Sequence, residues 1–267
     1  GPLMIAFDRV EKRYADGAVA LAGVSFEIPK GQFCVLLGPS GAGKSTLLRT
    51  LNGLTPPTAG EVRIWGVRVE PKTLPALRPA IGMIHQQFNL TPRASAAVNV
   101  ISGALPAVST LAAVFGLFPA RYRRKACDLM AAVGLGPEHL TRRVDELSGG
   151  QQQRIGIARA FMLDPALVLA DEPVASLDPS TSRDVLQLLK DQAMARDATV
   201  LCSLHQIDLA LTFADRIVAL RAGRLVFDGE PADLTPAKIA EIYDRPVATS
   251  EAPRPAATAA HLIEAVA

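Results

Sequence analysis

The densest run of potential chemistry in the chain is Gly38-Pro39-Ser40-Gly41-Ala42-Gly43-Lys44-Ser45, followed by Thr46. It fits G-x-x-x-x-G-K-[ST] at every fixed position. Glycines at these intervals let the backbone wrap until successive N–H groups face one point, and a helix start behind them adds the positive end of its dipole. That is a cradle for phosphate oxygens. Lys44 has the reach for β- and γ-phosphates, and the Ser45 hydroxyl suits Mg²⁺. A second cluster is Leu-Val-Leu-Ala-Asp-Glu at residues 167–172, an apolar strand ending in two carboxylates. At a strand edge facing a phosphate loop, Asp171 suits Mg²⁺ and Glu172 suits a base that polarises water.

A third cluster is Leu147-Ser148-Gly149-Gly150-Gln151. Ile155, Ala158, Phe161 and Met162 follow on one helical face, which makes Ser148 a helix N-cap. A cap followed by two glycines leaves N–H donors open to an anion. Ordinary capped helices also start this way, so these residues alone leave both readings open.

The elements that must position these groups can be read from hydrophobic pattern. Residues 33–37 form a continuous apolar run, as in a strand buried on both faces, and Leu47, Leu48 and Leu51 recur at helical spacing behind the loop. Further short strands are expected at 5–7, 19–28, 61–69 (a pair around Gly66), 81–84, 167–170, 199–203 and 217–220, with a helix at 180–196. Residues 90–164 are Ala/Leu-rich and read as an inserted helical part. Strands alternating with helices after a Gly-rich turn predict a mostly parallel α/β core. The tail from 246 to 260 is rich in Pro, Ala and Thr and is expected to be poorly ordered.

Composition narrows the function class. With 267 residues and 49% apolar content, the chain can bury a sizeable core, which excludes a disordered protein. Three scattered cysteines, Cys34, Cys127 and Cys202, fit reduced thiols rather than a disulfide scaffold. A net charge of +2 makes no electrostatic case for nucleic acid, and the basic run Arg121-Tyr122-Arg123-Arg124-Lys125 reads as a solvated helix face or a contact for anionic lipid headgroups. Residues 94–119 carry no charge, but Gly103, Pro106, Gly116 and Asn99 interrupt them, so a buried or partner-facing segment is expected rather than a membrane span. Residues 1–3 read as an expression scar ahead of Met4.

Taken in order and spacing, GPSGAGKST, LSGGQ and LVLADE resemble the nucleotide-binding subunits of ABC transporters. The resemblance covers about residues 4–243. It implies a P-loop NTPase (ABC ATPase) fold: an α/β, RecA-like, mostly parallel core with an antiparallel β subdomain and an inserted α-helical subdomain. The implied ATP-binding domain is 4–247, with core and antiparallel parts at 4–86 and 165–247, a helical part at about 87–164, and a Pro/Ala-rich tail at 248–267. By resemblance, Tyr14 stacks on adenine, Gln86 (or Gln87 in the neighbouring register) is the glutamine that touches Mg²⁺ or water and senses the membrane partner, Asp178 lies in the loop that crosses a dimer interface, and His205 contacts the γ-phosphate. The same resemblance implies ATP and Mg²⁺ as cofactors. It also implies a homodimer in which Ser148 to Gln151 of one copy complete the site of the other.

Transmembrane permease subunits, a substrate-binding protein acting through them, and a peripheral place on the cytoplasmic face of the cell membrane are implied in turn. Within the family, SGGQQQRIGIARAFM, ADEPVASLDP, SLHQIDLAL and RIVALRAGRLVFDG are similar to the ATP-binding subunits of phosphonate importers. His85 departs from that pattern, which has Phe or Tyr before the glutamine. Carriers of phosphite, hypophosphite, phosphate or methionine, and cell-division or efflux cassettes, share the core motifs and stay open. A coiled-coil chromosome ATPase would need long heptads, and none occur.

Overall fold

The computed structural model describes residues 1–86 and 89–243. Ten strands are formed among them: β1 (Leu3–Arg13), β2 (Val19–Pro29), β3 (Phe33–Leu37), β4 (Ala59–Ile64), β5 (Val67–Arg68), β6 (Ile81–Ile84), β7 (Leu167–Asp171), β8 (Thr199–Ser203), β9 (Arg216–Arg221) and β10 (Arg224–Gly229). The α-helices are α1 (Lys44–Leu51), α2 (Leu74–Leu77), α3 (Ala96–Ile101), α4 (Thr110–Val114), α5 (Ala120–Ala132), α6 (Gly149–Ala160), α7 (Pro179–Ala195), α8 (Ile207–Phe213) and α9 (Pro236–Tyr243). The tail expected at 248–267 lies outside the described residues.

Two sheets organise the molecule. A six-stranded sheet has the order β10-β9-β3-β8-β7-β6, and all its pairs are parallel except β9 with β10. A four-stranded antiparallel sheet has the order β2-β1-β4-β5. Leu3 pairs with Pro29, and the Pro2 carbonyl accepts from the Lys30 N–H, so the β1 ladder begins inside residues 1–3. Ladder pairing is a backbone property and does not depend on what those side chains are.

Every residue of β3 is buried because each face of the large sheet has its own cover. Successive side chains point to opposite faces. Phe33, Val35 and Leu37 join a core shared with α3, α5, α6, α7 and α8, while Cys34 and Leu36 join a second core with β1, β2, β4 and α1. The same alternation divides Val168 and Ala170 from Leu167 and Leu169, and Val200 and Cys202 from Leu201. Parallel strands covered on both faces end their C-termini along one edge, where open α/β sheets bind ligands. Here β3, β8 and β7 are immediate neighbours, and the three polar segments that follow them meet at that edge.

Candidate functional site

The phosphate loop begins where β3 ends. Gly38 takes φ 151°, and a Cβ there would lie 2.2 Å from the Leu220 carbonyl oxygen of β9. Gly43 takes φ 106° as the N-cap of α1, with an imagined Cβ 2.7 Å from the Ala20 oxygen of β2. Both positions combine a left-handed backbone with a wall of main chain, so glycine alone is accommodated. Ser40 to Thr46, Ala20, Glu172 and His205 line a pocket of about 440 Å³. Lys44 is buried within it, and its Nζ donates to the Gly38 carbonyl. Desolvation pushes its pKa below the ordinary lysine value, while the Glu172 and Asp171 carboxylates pull it the other way.

The carboxylates are held by a short relay. Ser45 Oγ donates to Asp171 Oδ1 at 3.1 Å, and Ser203 Oγ donates to the same oxygen at 2.9 Å. The Glu172 N–H reaches Ser203 Oγ at 3.0 Å. Glu172 sits at φ 48°, a strained value for a non-glycine residue, just past β7. Its Oε1 meets His205 Nε2 at 2.7 Å, so the imidazole holds the carboxylate from the neighbouring strand end. Ser45 Oγ and Asp171 Oδ1 are hard oxygen donors side by side, a set that fits Mg²⁺, which takes one or two carboxylates and completes its shell with phosphate and water.

Ser203 is one residue the sequence reading missed. It is fully buried at the end of β8, in register with both Asp171 and Leu36. The available signal was a lone hydroxyl closing an apolar strand two residues before His205. Ala20 was also missed. It enters the pocket because β2 passes beneath Gly43.

Other expected residues stand apart from this pocket. Tyr14 is exposed on the turn between β1 and β2, with Lys12 Nζ 5.4 Å from its ring centre. Gln86 is exposed two residues past β6 and does not line the pocket, and Gln87 lies outside the described residues. Asp178 caps α7 by accepting from the Thr181 N–H at 3.1 Å, and hydrogen bonding from the Thr181 side chain, then from its N–H, holds its carboxyl below the usual range. Ser148 caps α6 in a reciprocal box: its Oγ accepts from the Gln151 N–H at 3.2 Å, and Gln151 Oε1 accepts from the Ser148 N–H at 3.0 Å. Ser148 is exposed, and none of residues 148–151 reaches the pocket of its own chain.

One internal link joins these regions. Gln153, fully buried on α6, donates to the Pro173 carbonyl next to Glu172 and, at 3.4 Å, to the His85 carbonyl at the end of β6. The His85 imidazole is partly desolvated and lies near Arg159, and both push its pKa down.

Comparison with known proteins bears on this geometry. A family model described as ABC transporter matches residues 21–175. A Hydrogenovibrio crunogenus protein named phosphonates import ATP-binding protein PhnC is 53% identical over 231 residues, covering 86% of this chain and 85% of that one. A Thiobacillus denitrificans protein of the same name is 48% identical over 241 residues, covering 90% and 93%. Among solved structures, the ATP-binding cassette MJ0796, as a dimer in a post-hydrolysis state bound to ADP and Pi, superposes with a TM-score of 0.72 at 33% identity, over 85% of this chain and 99% of that one. The cbiO1 subunit from Clostridium perfringens superposes with a TM-score of 0.78 at 26% identity, over 88% and 91%. On the matched motifs, the fold and these relatives, the chain belongs to the ABC transporter family.

Proposed function

We propose that this chain is the ATP-hydrolysing subunit of an importer for phosphonates or closely related phosphorus oxyanions. The observation that carries the enzymatic part is the relay from Ser45 through Asp171 and Ser203 to Glu172 and His205, set at the mouth of the phosphate loop. The substrate rests on the relatives named phosphonates import ATP-binding protein.

In this reading the loop that starts at Gly38 binds the phosphates through its N–H groups from Ser40 to Thr46 and the Lys44 ammonium, and Tyr14 stacks against adenine. Ser45, Asp171 and Gln86 would hold Mg²⁺, which when bound neutralises charge on the β- and γ-phosphates. Glu172 orients the attacking water and takes its proton at a carboxylate oxygen. His205 fixes Glu172 through its Nε2–H, and when the ring is protonated its second N–H would serve as a donor toward charge growing on the γ-phosphate. The strained backbone at Glu172 is held by the Ser203 bond, so the base is in place before substrate arrives.

The pocket of one chain lacks the Ser148–Gln151 cap, and the cap of that chain faces solvent. Two copies arranged head to tail would supply each pocket with the other's helix start, and Asp178 at the start of α7 would lie at the seam. Closure of that dimer would drive transmembrane permease subunits fed by a substrate-binding protein, with this chain peripheral on the cytoplasmic face. Among the described residues no helix is long and apolar enough to cross a membrane.

The test is reconstitution with its permease and binding protein in liposomes, followed by ATPase assays with phosphonates, phosphite, phosphate and methionine. Stimulation by phosphonates supports the reading. Stimulation by methionine alone overturns the substrate while leaving the hydrolase intact.

A further inference from the structure

The segment around α4 reverses the pattern that water selects. Its turn and a half of helix directs Ala112 and Ala113 inward and leaves Leu111 (74% exposed), Val114 (73%) and Phe115 (71%) outside, at i, i+3 and i+4 on one face. Leu117, past the turn at Gly116, is 65% exposed as well. The base of this projection is anchored: Val108 before it, and Phe118 and Tyr122 after it, pack against the main core. The apolar tip is therefore a held feature rather than a loose end, and contiguous exposed apolar surface marks a contact site.

Charge identifies the contact. Residues 71–127 hold seven of the chain's 28 Lys and Arg and none of its 26 Asp and Glu. Four of the seven, Arg121, Arg123, Arg124 and Lys125, open α5. Arg121 follows Leu117 by four residues, so the chain cannot separate them by more than about 14 Å. Lys125 is engaged by Asp164 at 2.6 Å, but Arg123 and Arg124 are exposed and have no carboxylate partner among the described residues. Arg121 lies over the Tyr122 ring at 4.8 Å, a cation on an amphipathic aromatic. A protruding apolar ridge needs no complementary groove if its partner is fluid, and two exposed arginines six and seven residues past Leu117, with no carboxylate partner among the described residues, suit phosphate headgroups rather than a mixed-charge protein face.

We propose that the α4 tip and the first turns of α5 form a direct anchor on an anionic lipid bilayer. Leu111, Val114, Phe115 and Leu117 enter the headgroup–acyl boundary while Arg123 and Arg124 meet lipid phosphates. None of these residues lines the nucleotide pocket, so the contact is separable from hydrolysis.

The experiment is co-sedimentation of the full chain with phosphatidylethanolamine–phosphatidylglycerol vesicles and with phosphatidylcholine vesicles. Nucleotide binding serves as the control for folding. The anchor predicts binding to the anionic vesicles that weakens with salt and drops about tenfold for L111S/F115S. For R123E/R124E the anionic preference is lost, at roughly fivefold per charge. In a Trp65→Phe background, the Phe115→Trp indole would be quenched by lipids brominated along the acyl chain. Equal sedimentation of L111S/F115S and the parent, or none by the parent, overturns the proposal. Concentration-dependent self-association that L111S/F115S abolishes without lipid, or capture by detergent-solubilised permease with no vesicle binding, also overturns it by assigning the face to a protein.

Discussion

Around Lys44 side chains from three strand ends bond to one another, whereas around Ser148 the chain presents a finished helix start to solvent. The first region is set by buried strand ends: Ser45, Asp171, Ser203, Glu172 and His205 form one connected set, and glycines at Gly38 and Gly43 are walled in by backbone. The second is set by a local capping box between Ser148 and Gln151. A region locked from several strands is suited to fixing a base and phosphates in place. A capped, exposed helix end is suited to being offered to another molecule. Gln153 ties the two, because α6 cannot shift without pulling on Pro173 beside Glu172.

The contrast can be broken by substituting one region at a time. Ser148→Arg should leave Mg-ATP binding to the single chain intact and lower hydrolysis about a hundredfold, since it blocks the donor face offered to the second copy. Loss of the cap costs about 1 kcal/mol of stability, which thermal melting would register separately. Ser148 is the better position for this test because a Cβ at Gly150 would already press on Thr181 at 2.6 Å. Equal loss of binding and turnover would erase the distinction between the regions.

Ser203→Ala acts inside the locked region. It removes the bond to Asp171 and leaves the Glu172 N–H one acceptor short, so hydrolysis should fall roughly tenfold or more with a raised Mg²⁺ requirement. Stability should drop by about 1–3 kcal/mol. An unchanged Mg²⁺ dependence would reduce Ser203 to a packing residue.

A smaller effect is expected at the pocket rim. Tyr14→Ala should weaken ATP affinity about tenfold with turnover at saturation unchanged, as for loss of one stacking platform. Smallest of all, alkylation of native protein should modify Cys127 alone and leave ATPase activity unaltered. Burial raises the Cys34 thiol to about 12 and pushes Cys202 higher still, so neither offers thiolate at neutral pH.

How much of this was legible in sequence depends on burial. The runs at Phe33–Leu37, Ile81–Ile84 and Thr199–Ser203 have the expected bounds, because strands inside a sheet covered on both faces are largely apolar along their length. The β1 ladder was read as three residues and extends over eleven. It opens on an exposed Leu3 and its register shifts near Arg9, at φ 47°, which blurs the alternation. β10 was not read as a strand for a similar reason: only Phe227 of its six residues is buried. At the site, the loop lysine and the carboxylates were visible as types at fixed spacing, and the histidine through the family resemblance. Ser203 was not, because its role comes from a neighbour 32 positions away that the parallel pairing of β7 and β8 brings level.

The most direct measurement is Mg-ATP turnover by Glu172→Gln alongside ATP binding and sedimentation. The amide keeps the shape and the contact to His205 but cannot take a proton from water. The account predicts near-normal ATP retention, accumulation of dimers in ATP, and turnover lowered by at least about a hundredfold. Hydrolysis by Glu172→Gln at close to the parent rate would contradict it.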